Sequence, residues 1–258
     1  WHSGIIMKVI LIMLNMCTHV LGIDPQNADA LHLLGISVYQ SGQYEIAVSL
    51  ITQAIQIDST KPLFFTNPGN AFQKQGKLEE SAQAYQKAIQ IQLDYADAHF
   101  NLAMLLLLQG QFVEGWEKYE WRWDSSLKSQ KRNFKRPLWD GASLNGKSIL
   151  VYAEQGFGDS IQFARYINLL PNTDSTIIVA CQPELKSLFK SIDRIDTLIT
   201  KGEDMPDFDF HAPIVSLPHI FGTVLDTIPA KIPYLYPDKK SDFAFLSDNE
   251  HHFKVGIA

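Results

Sequence analysis

The feature that most constrains this chain is an internal repeat of 34 residues. Gly35, Gly69 and Ala103 stand 34 apart, as do Gly42, Gly76 and Gly110. Ala47, Ser81 and Gly115 form a column of small residues and Ile51, Tyr85 and Tyr119 a column of large ones, while "IDP" at 23–25 returns as "IDS" at 57–59. A period in this range means stacked units, each too small to bury its own apolar face. A small column facing a large one predicts two helices in close contact within each unit. Three repeats cover about residues 28–123. The apolar stretch before Ile23 sits one period earlier, in the place of the second helix of a half repeat, with Met13, Cys17 and Val20 expected at its core positions.

The period and the small/large pattern resemble the tetratricopeptide repeat, a pair of antiparallel helices. Proline in a helix interior removes a donor and clashes with the turn before it, so Pro68 in "FFTNPGNAF" predicts a kinked or frayed helix there. The resemblance implies a concave face that receives an extended polypeptide. Asn67 and Asn101 recur on it one period apart, and carboxamides can pair with a peptide backbone through both donor and acceptor. This is similar to the asparagine ladder of O-GlcNAc transferase repeats, although Leu33 interrupts it in the first repeat; a common residue at a common position is the plainer reading. The Lys/Arg clamp of chaperone-binding repeats is missing, since His32, Thr66 and Phe100, with Ile36, Asn70 and Met104, stand in its places.

A formal net charge of −6 and a pI near 5.7 speak against nucleic acid as the main partner. The two cysteines, Cys17 and Cys181, have neither disulfide-framework nor zinc spacing, so no metal site is expected and a reducing, cytoplasmic setting is. The apolar run at 4–16 is too short to span a bilayer and contains Lys8, so no membrane role is assigned to it. Trp1 is not an initiator and the chain stops within what reads as a strand, which suggests a fragment.

After the last repeat, five of the nine residues from Lys128 to Arg136 are basic. A nucleic-acid patch competes with a solvated linker, and the acidity of the rest favours the linker. Trp121, Trp123 and Trp139 are then expected to pack the repeats onto the next domain. From Lys147 the pattern changes to short β-rich runs alternating with helical ones, "KSILVYA", "STIIVAC", "IDTLIT" and "FDFHAPIVSL" being the strands. Such alternation predicts a parallel, Rossmann-like sheet covered on both faces.

The stretch "YAEQGFGDSIQFARY" is the first strand, loop and helix of that unit. Open α/β sheets bind ligands at the carboxyl ends of their strands, where Gly156 and Gly158 would let backbone amides approach an anion or a sugar. A dinucleotide site would need a third glycine where Ile161 stands and an acid after the second strand, where Gln182 and Pro183 stand, so that reading fails. Asp159 reads either as the cap of the helix or as a cleft carboxylate accepting a proton from an acceptor hydroxyl.

Repeats followed by "PLWDG", "GKSILVYAEQGFGDSIQFARY", "FDFHAPIVSLP" and "IPAKIPYL" resemble bacterial tetratricopeptide proteins with a glycosyltransferase domain, related to O-GlcNAc transferase and more distantly to heptosyltransferases. The resemblance implies an α-helical TPR solenoid followed by an α/β Rossmann-like domain, the first half of a GT-B enzyme. It implies repeats at 1–126, a linker at 127–145, the Rossmann-like half at 146–252 and the start of a second half at 253–258. Asp159 matches the carboxylate of the "GD" pair proposed to activate the acceptor in heptosyltransferases. Gly156, Gly158 and His211 would lie on the acceptor side of the cleft, and Asn67 and Asn101 would contact a protein or peptide acceptor. The donor would be a nucleotide sugar such as a UDP-sugar, used as substrate, with no cofactor and no metal. The alternative is a non-catalytic scaffold in which the repeats alone assemble partners.

Overall fold

The structure is a computed structural model and describes residues 2–126, 131–171 and 174–236. The chain forms two compact units divided between Lys131 and Arg132, with Thr223–Asp226 going with the first.

Among its described residues the first unit holds seven α-helices: α1 (His2–Ile23), α2 (Ala28–Gln40), α3 (Tyr44–Ile57), α4 (Leu63–Lys74), α5 (Leu78–Ile91), α6 (Ala96–Leu108) and α7 (Phe112–Tyr119). Helices α2/α3, α4/α5 and α6/α7 pair as the repeat predicts. Each first helix ends alike, at a glycine one period from the last: Gly42, Gly76 and Gly110 have φ of +83°, +73° and +77°. The amide after each glycine, at Gln43, Lys77 and Gln111, donates back to the carbonyls of Val38, Phe72 and Leu106. This is the Schellman closure, which calls for glycine in the left-handed region and satisfies carbonyls the helix end leaves open.

The small column lets the paired helices touch. A Cβ added at Gly35 would lie 2.5 Å from Ile51 Cγ1, and one at Gly69 would lie 2.6 Å from Tyr85 Cε1. Ile51 and Tyr85 are fully buried in consequence. The Ser81 hydroxyl donates to the Gly69 carbonyl at 2.8 Å, and the Tyr85 hydroxyl to Asn70 Oδ1 at 2.6 Å.

Two expectations need correction here, the fraying at Pro68 and the core place of Val20. Helix α4 is not frayed at Pro68, but remains α-helical from Leu63 to Lys74 with Pro68 buried. Proline in sixth place removes one backbone donor, the one that would have reached the Phe64 carbonyl, and leaves the rest of the ladder. In α1, Ile10 and Cys17 are buried and Leu21 packs beside the core of the first repeat, whereas Val20 is exposed. The helical period carries the packed stripe from Cys17 to Leu21 and turns Val20 outward.

Among its described residues the second unit holds a four-stranded parallel sheet: β1 (Ser148–Tyr152), β2 (Thr176–Cys181), β3 (Thr197–Thr200) and β4 (Phe210–Pro213), in the order β3-β2-β1-β4. This is the order of the first four strands of a doubly wound fold. Helix α8 (Phe157–Phe163) follows β1, α9 (Lys186–Phe189) follows β2, and α10 (Leu217–Ile220) follows β4. Steps from β1 to β2 to β3 run in one direction, so right-handed crossovers put α8 and α9 on one face. The return to β4 crosses the other face.

Among the described residues, that second face departs from the expected helical cover. Its buried cluster is Leu150, Tyr152, Ile178, Ala180, Ile199 and Phe208, joined by Phe134, and none of these side chains comes from a helix. Residues read from sequence as linker thus pack on the sheet. Pro137 and Trp139 also exchange backbone hydrogen bonds with His211 on β4. Trp139 is buried within this unit, its indole N–H donating to the Ala142 carbonyl at 2.8 Å. Trp121 stacks on His99, with ring centroids 4.2 Å apart, and Trp123 packs on the Arg122 guanidinium, both inside the first unit. Lys128 and the segment 253–258 lie outside the described residues. Among the described residues no helix is long and apolar enough to cross a membrane.

Candidate functional site

Helices α2, α4 and α6 are neighbours, and their shared surface carries both ladder asparagines. Asn67 on α4 is half-buried, and its amide nitrogen lies 2.7 Å from His32 Nε2 on α2. His32 is itself buried and stacks on Phe64, with ring centroids 4.4 Å apart. Burial pushes its pKa down to about 4, against the pull of nearby Asp29 and the Leu63 carbonyl. The imidazole is therefore neutral at physiological pH, and its bare Nε2 accepts from Asn67. Asn101 on α6 is half-buried and makes no side-chain hydrogen bond to the described residues. The two asparagines differ, one locked to a histidine and one open.

Beside Asn101 the surface is apolar at the third repeat, where Met104 is 45% and Leu108 67% exposed. Leu33, which interrupts the ladder, is also exposed. Lys61, at the edge, is paired with Asp29 at 2.6 Å. Such a surface suits an extended backbone with apolar side chains better than a terminal carboxylate.

In the second unit, the loop after β1 leads into α8, and Gly156 is the N-cap with φ −68° and ψ 173°. Of the two sequence readings of Asp159, the helix cap does not hold. The helix begins at Phe157, two residues earlier, which puts Asp159 in the first turn. Its partly exposed carboxylate makes no hydrogen bond or ion pair with the described residues. There it favours the helix dipole without bonding an amide. Neither glycine is required by packing: a Cβ at Gly158 would meet nothing within 4 Å, and one at Gly156 would meet only Asp159 Oδ2, at 3.6 Å. Neither has a positive φ.

His211 is placed differently from the expected acceptor-side position beside the glycine loop. It pairs with Leu150, two residues before β1 ends, and is 6% exposed. Its ring lies 4.8 Å from that of Phe134 and 5.9 Å from that of Tyr152. Burial lowers its pKa, and its Nδ1 is buried without a hydrogen-bond partner among the described residues. Strand alternation explains this, since His211 shares a face with Leu150 and Tyr152.

The sequence reading missed two residues. Gln182, noted only as a missing acid, reaches from the end of β2 to the glycine loop, and Ser160 on α8 joins the same network. The signal was available in an amide at the strand end where related folds carry a ligand-binding side chain. Among the described residues no group of three or more His, Cys, Asp or Glu side chains could hold a metal ion. Cys17 and Cys181 are free and buried, and burial pushes the Cys181 thiol up to about 11.

The family model described as TPR repeat matches residues 69–110. The chain carries tetratricopeptide repeats. Protein FlbA of Caulobacter vibrioides (strain ATCC 19089 / CIP 103742 / CB 15) is 25% identical over 244 residues, covering 84% of this chain and 40% of that protein. The probable UDP-N-acetylglucosamine–peptide N-acetylglucosaminyltransferase SPINDLY of Hordeum vulgare is 31% identical over 113 residues, covering 41% of this chain and 12% of that protein. Among solved structures, a Thermobaculum terrenum O-GlcNAc transferase superposes with a TM-score of 0.44 at 18% identity, over 76% of this chain and 39% of its own. The chain therefore spans 40% of the first of these curated relatives and far less of the second. The tetratricopeptide repeats are similar to those of the O-GlcNAc transferase-like proteins, and they are accompanied by a small parallel sheet.

Proposed function

We infer that this chain belongs to the amino-terminal part of a glycosyltransferase whose tetratricopeptide repeats hold a polypeptide acceptor. The α2/α4/α6 surface would take the acceptor backbone at Asn67 and Asn101. The glycine loop would line the acceptor side of a cleft, and Asp159 would take the proton of the attacking hydroxyl. The donor would be a nucleotide sugar, such as a UDP-sugar. The observation that carries this reading is the β1–α8 loop. It has two glycines that neither backbone conformation nor packing calls for, beside a carboxylate with no partner among the described residues. Such a loop suits close approach by a ligand. The relation of the repeats to SPINDLY, whose name specifies transfer to peptide, supports the acceptor class.

A partner-binding scaffold is the second reading, and the repeats favour it by themselves, because helical repeats bind without chemistry. Thermal melting of the full-length protein with UDP and UDP-sugars separates the two, since a ligand bound by the folded state raises Tm. A shift, together with loss of transfer in Asp159→Asn at unchanged stability, supports the enzyme. If Asp159→Asn transfers sugar at the parent rate, Asp159 is not the base. No shift with any nucleotide, with peptide binding retained, leaves the scaffold.

A further inference from the structure

The loop that begins at Gln155 is held by a side chain from the neighbouring strand. Gln182 directly follows β2, and its Nε2 donates to the Gln155 carbonyl at 2.8 Å and to Ser160 Oγ at 3.0 Å. The Ser160 hydroxyl, on a fully buried residue, donates in turn to the Gly156 carbonyl at 3.1 Å. An amide nitrogen has two hydrogens, and both are used here. A carbonyl oxygen only accepts, so the Gln155 contact fixes which end of the amide faces the loop. Two consecutive carbonyls, at residues 155 and 156, are tied in this way just before α8 begins.

The cost of the arrangement is visible at the other end of the amide. Gln182 Oε1 is buried with no hydrogen-bond partner among the described residues. A bare buried acceptor is unfavourable. The N–H side is therefore what the position uses.

We propose that Gln182 is the positioning residue of the glycine loop, clasping residues 155 and 156 through its N–H pair and so setting where Gly156, Gly158 and Asp159 meet a ligand. The part of this statement that involves a ligand rests on the function proposed above, whereas the clasp does not. Ser160 is its relay, and its amide is also the natural reporter, since it donates to the Gly156 carbonyl at 3.1 Å.

The test is residue-resolved hydrogen exchange on the full chain, with rates corrected for intrinsic exchange. In Gln182→Met the Ser160 amide is expected to exchange about tenfold faster, as befits the loss of two modest hydrogen bonds, with Ile178–Ala180 in the β2 ladder unchanged. Gln182→Glu separates clasping from packing. Its carboxylate keeps the shape but cannot donate to Gln155, so Ser160 exchange is fast at neutral pH. Protection returns in part as the carboxyl regains its single O–H donor near or above its ordinary pKa of about 4.3. No change at Ser160 in either variant, or equal acceleration at Ser160 and in β2, overturns the clasp. Accelerated exchange at Ser160 with β2 unchanged, but no nucleotide-induced rise in Tm, keeps the clasp and removes the glycosyltransferase reading instead.

Discussion

Acidification should destabilise the repeat unit through His32, and the size of the loss comes from its burial. The imidazole is 2% exposed, and its pKa falls from an ordinary 6.5 to about 4 in the folded protein. An unfolded chain takes up the proton near 6.5 while the folded one refuses it until about 4, so stability is full above the unfolded value and declines as pH falls between them. At 1.36 kcal/mol per unit, the loss is about 1.4 kcal/mol by roughly pH 5.5 and about 2.5 kcal/mol by roughly pH 4.5. The assay is urea unfolding of the parent and of His32→Gln at a series of pH values. Glutamine retains hydrogen-bonding capacity toward Asn67 but does not titrate. Other acid-sensitive groups, His99 included, are common to both proteins, so the difference between the two curves isolates His32. The prediction is a gap that opens below pH 6.5 in favour of the variant's relative stability. Parallel curves from pH 7.5 to 4.5 would refute the argument that burial, with Asn67 on Nε2, keeps this ring neutral.

The geometry sets three further outcomes. Gly69→Ala drives a methyl to 2.6 Å from the buried Tyr85 ring, so overpacking of about 1–3 kcal/mol should outweigh the better helix propensity and lower Tm. Gly158→Ala meets open space and should leave Tm unchanged or slightly raised, yet weaken whatever ligand approaches the loop; calorimetric titration with UDP-sugar and acceptor peptide checks the second half. Arg165 donates to the Pro229 carbonyl and to Tyr234 Oη, both at 3.2 Å, with its guanidinium over the Tyr234 ring. Arg165→Ala should therefore expose residues 229–236 to limited proteolysis before the sheet unfolds; simultaneous cleavage in both regions would sink this expectation.

The sequence by itself determined the repeat architecture, because helix pairing there is local and periodic. The glycine at each helix end, the small residue against the large one and the 34-residue spacing each have a direct structural meaning. A column such as Gly35, Gly69 and Ala103 can be read without knowing what it touches. The alternation after Lys147 likewise implied parallel strands, since parallel pairs need crossovers. The glycine loop was legible as a candidate for the same reason, through its place between a strand and a helix.

Other features were decided only by the tertiary structure. Whether His211 faces a cleft depends on which face of β4 meets Phe134 and Tyr152, residues far away in sequence. Whether Asp159 caps a helix depends on where that helix starts, and with Gly156 as N-cap the start lies three residues earlier. The joining of Asn67 to His32 and of Gln182 to Gln155 are contacts across 35 and 27 residues. Composition and period say nothing about such pairs. They arise because burial leaves polar groups no water to bond, and each must find its partner among whatever the fold brings near.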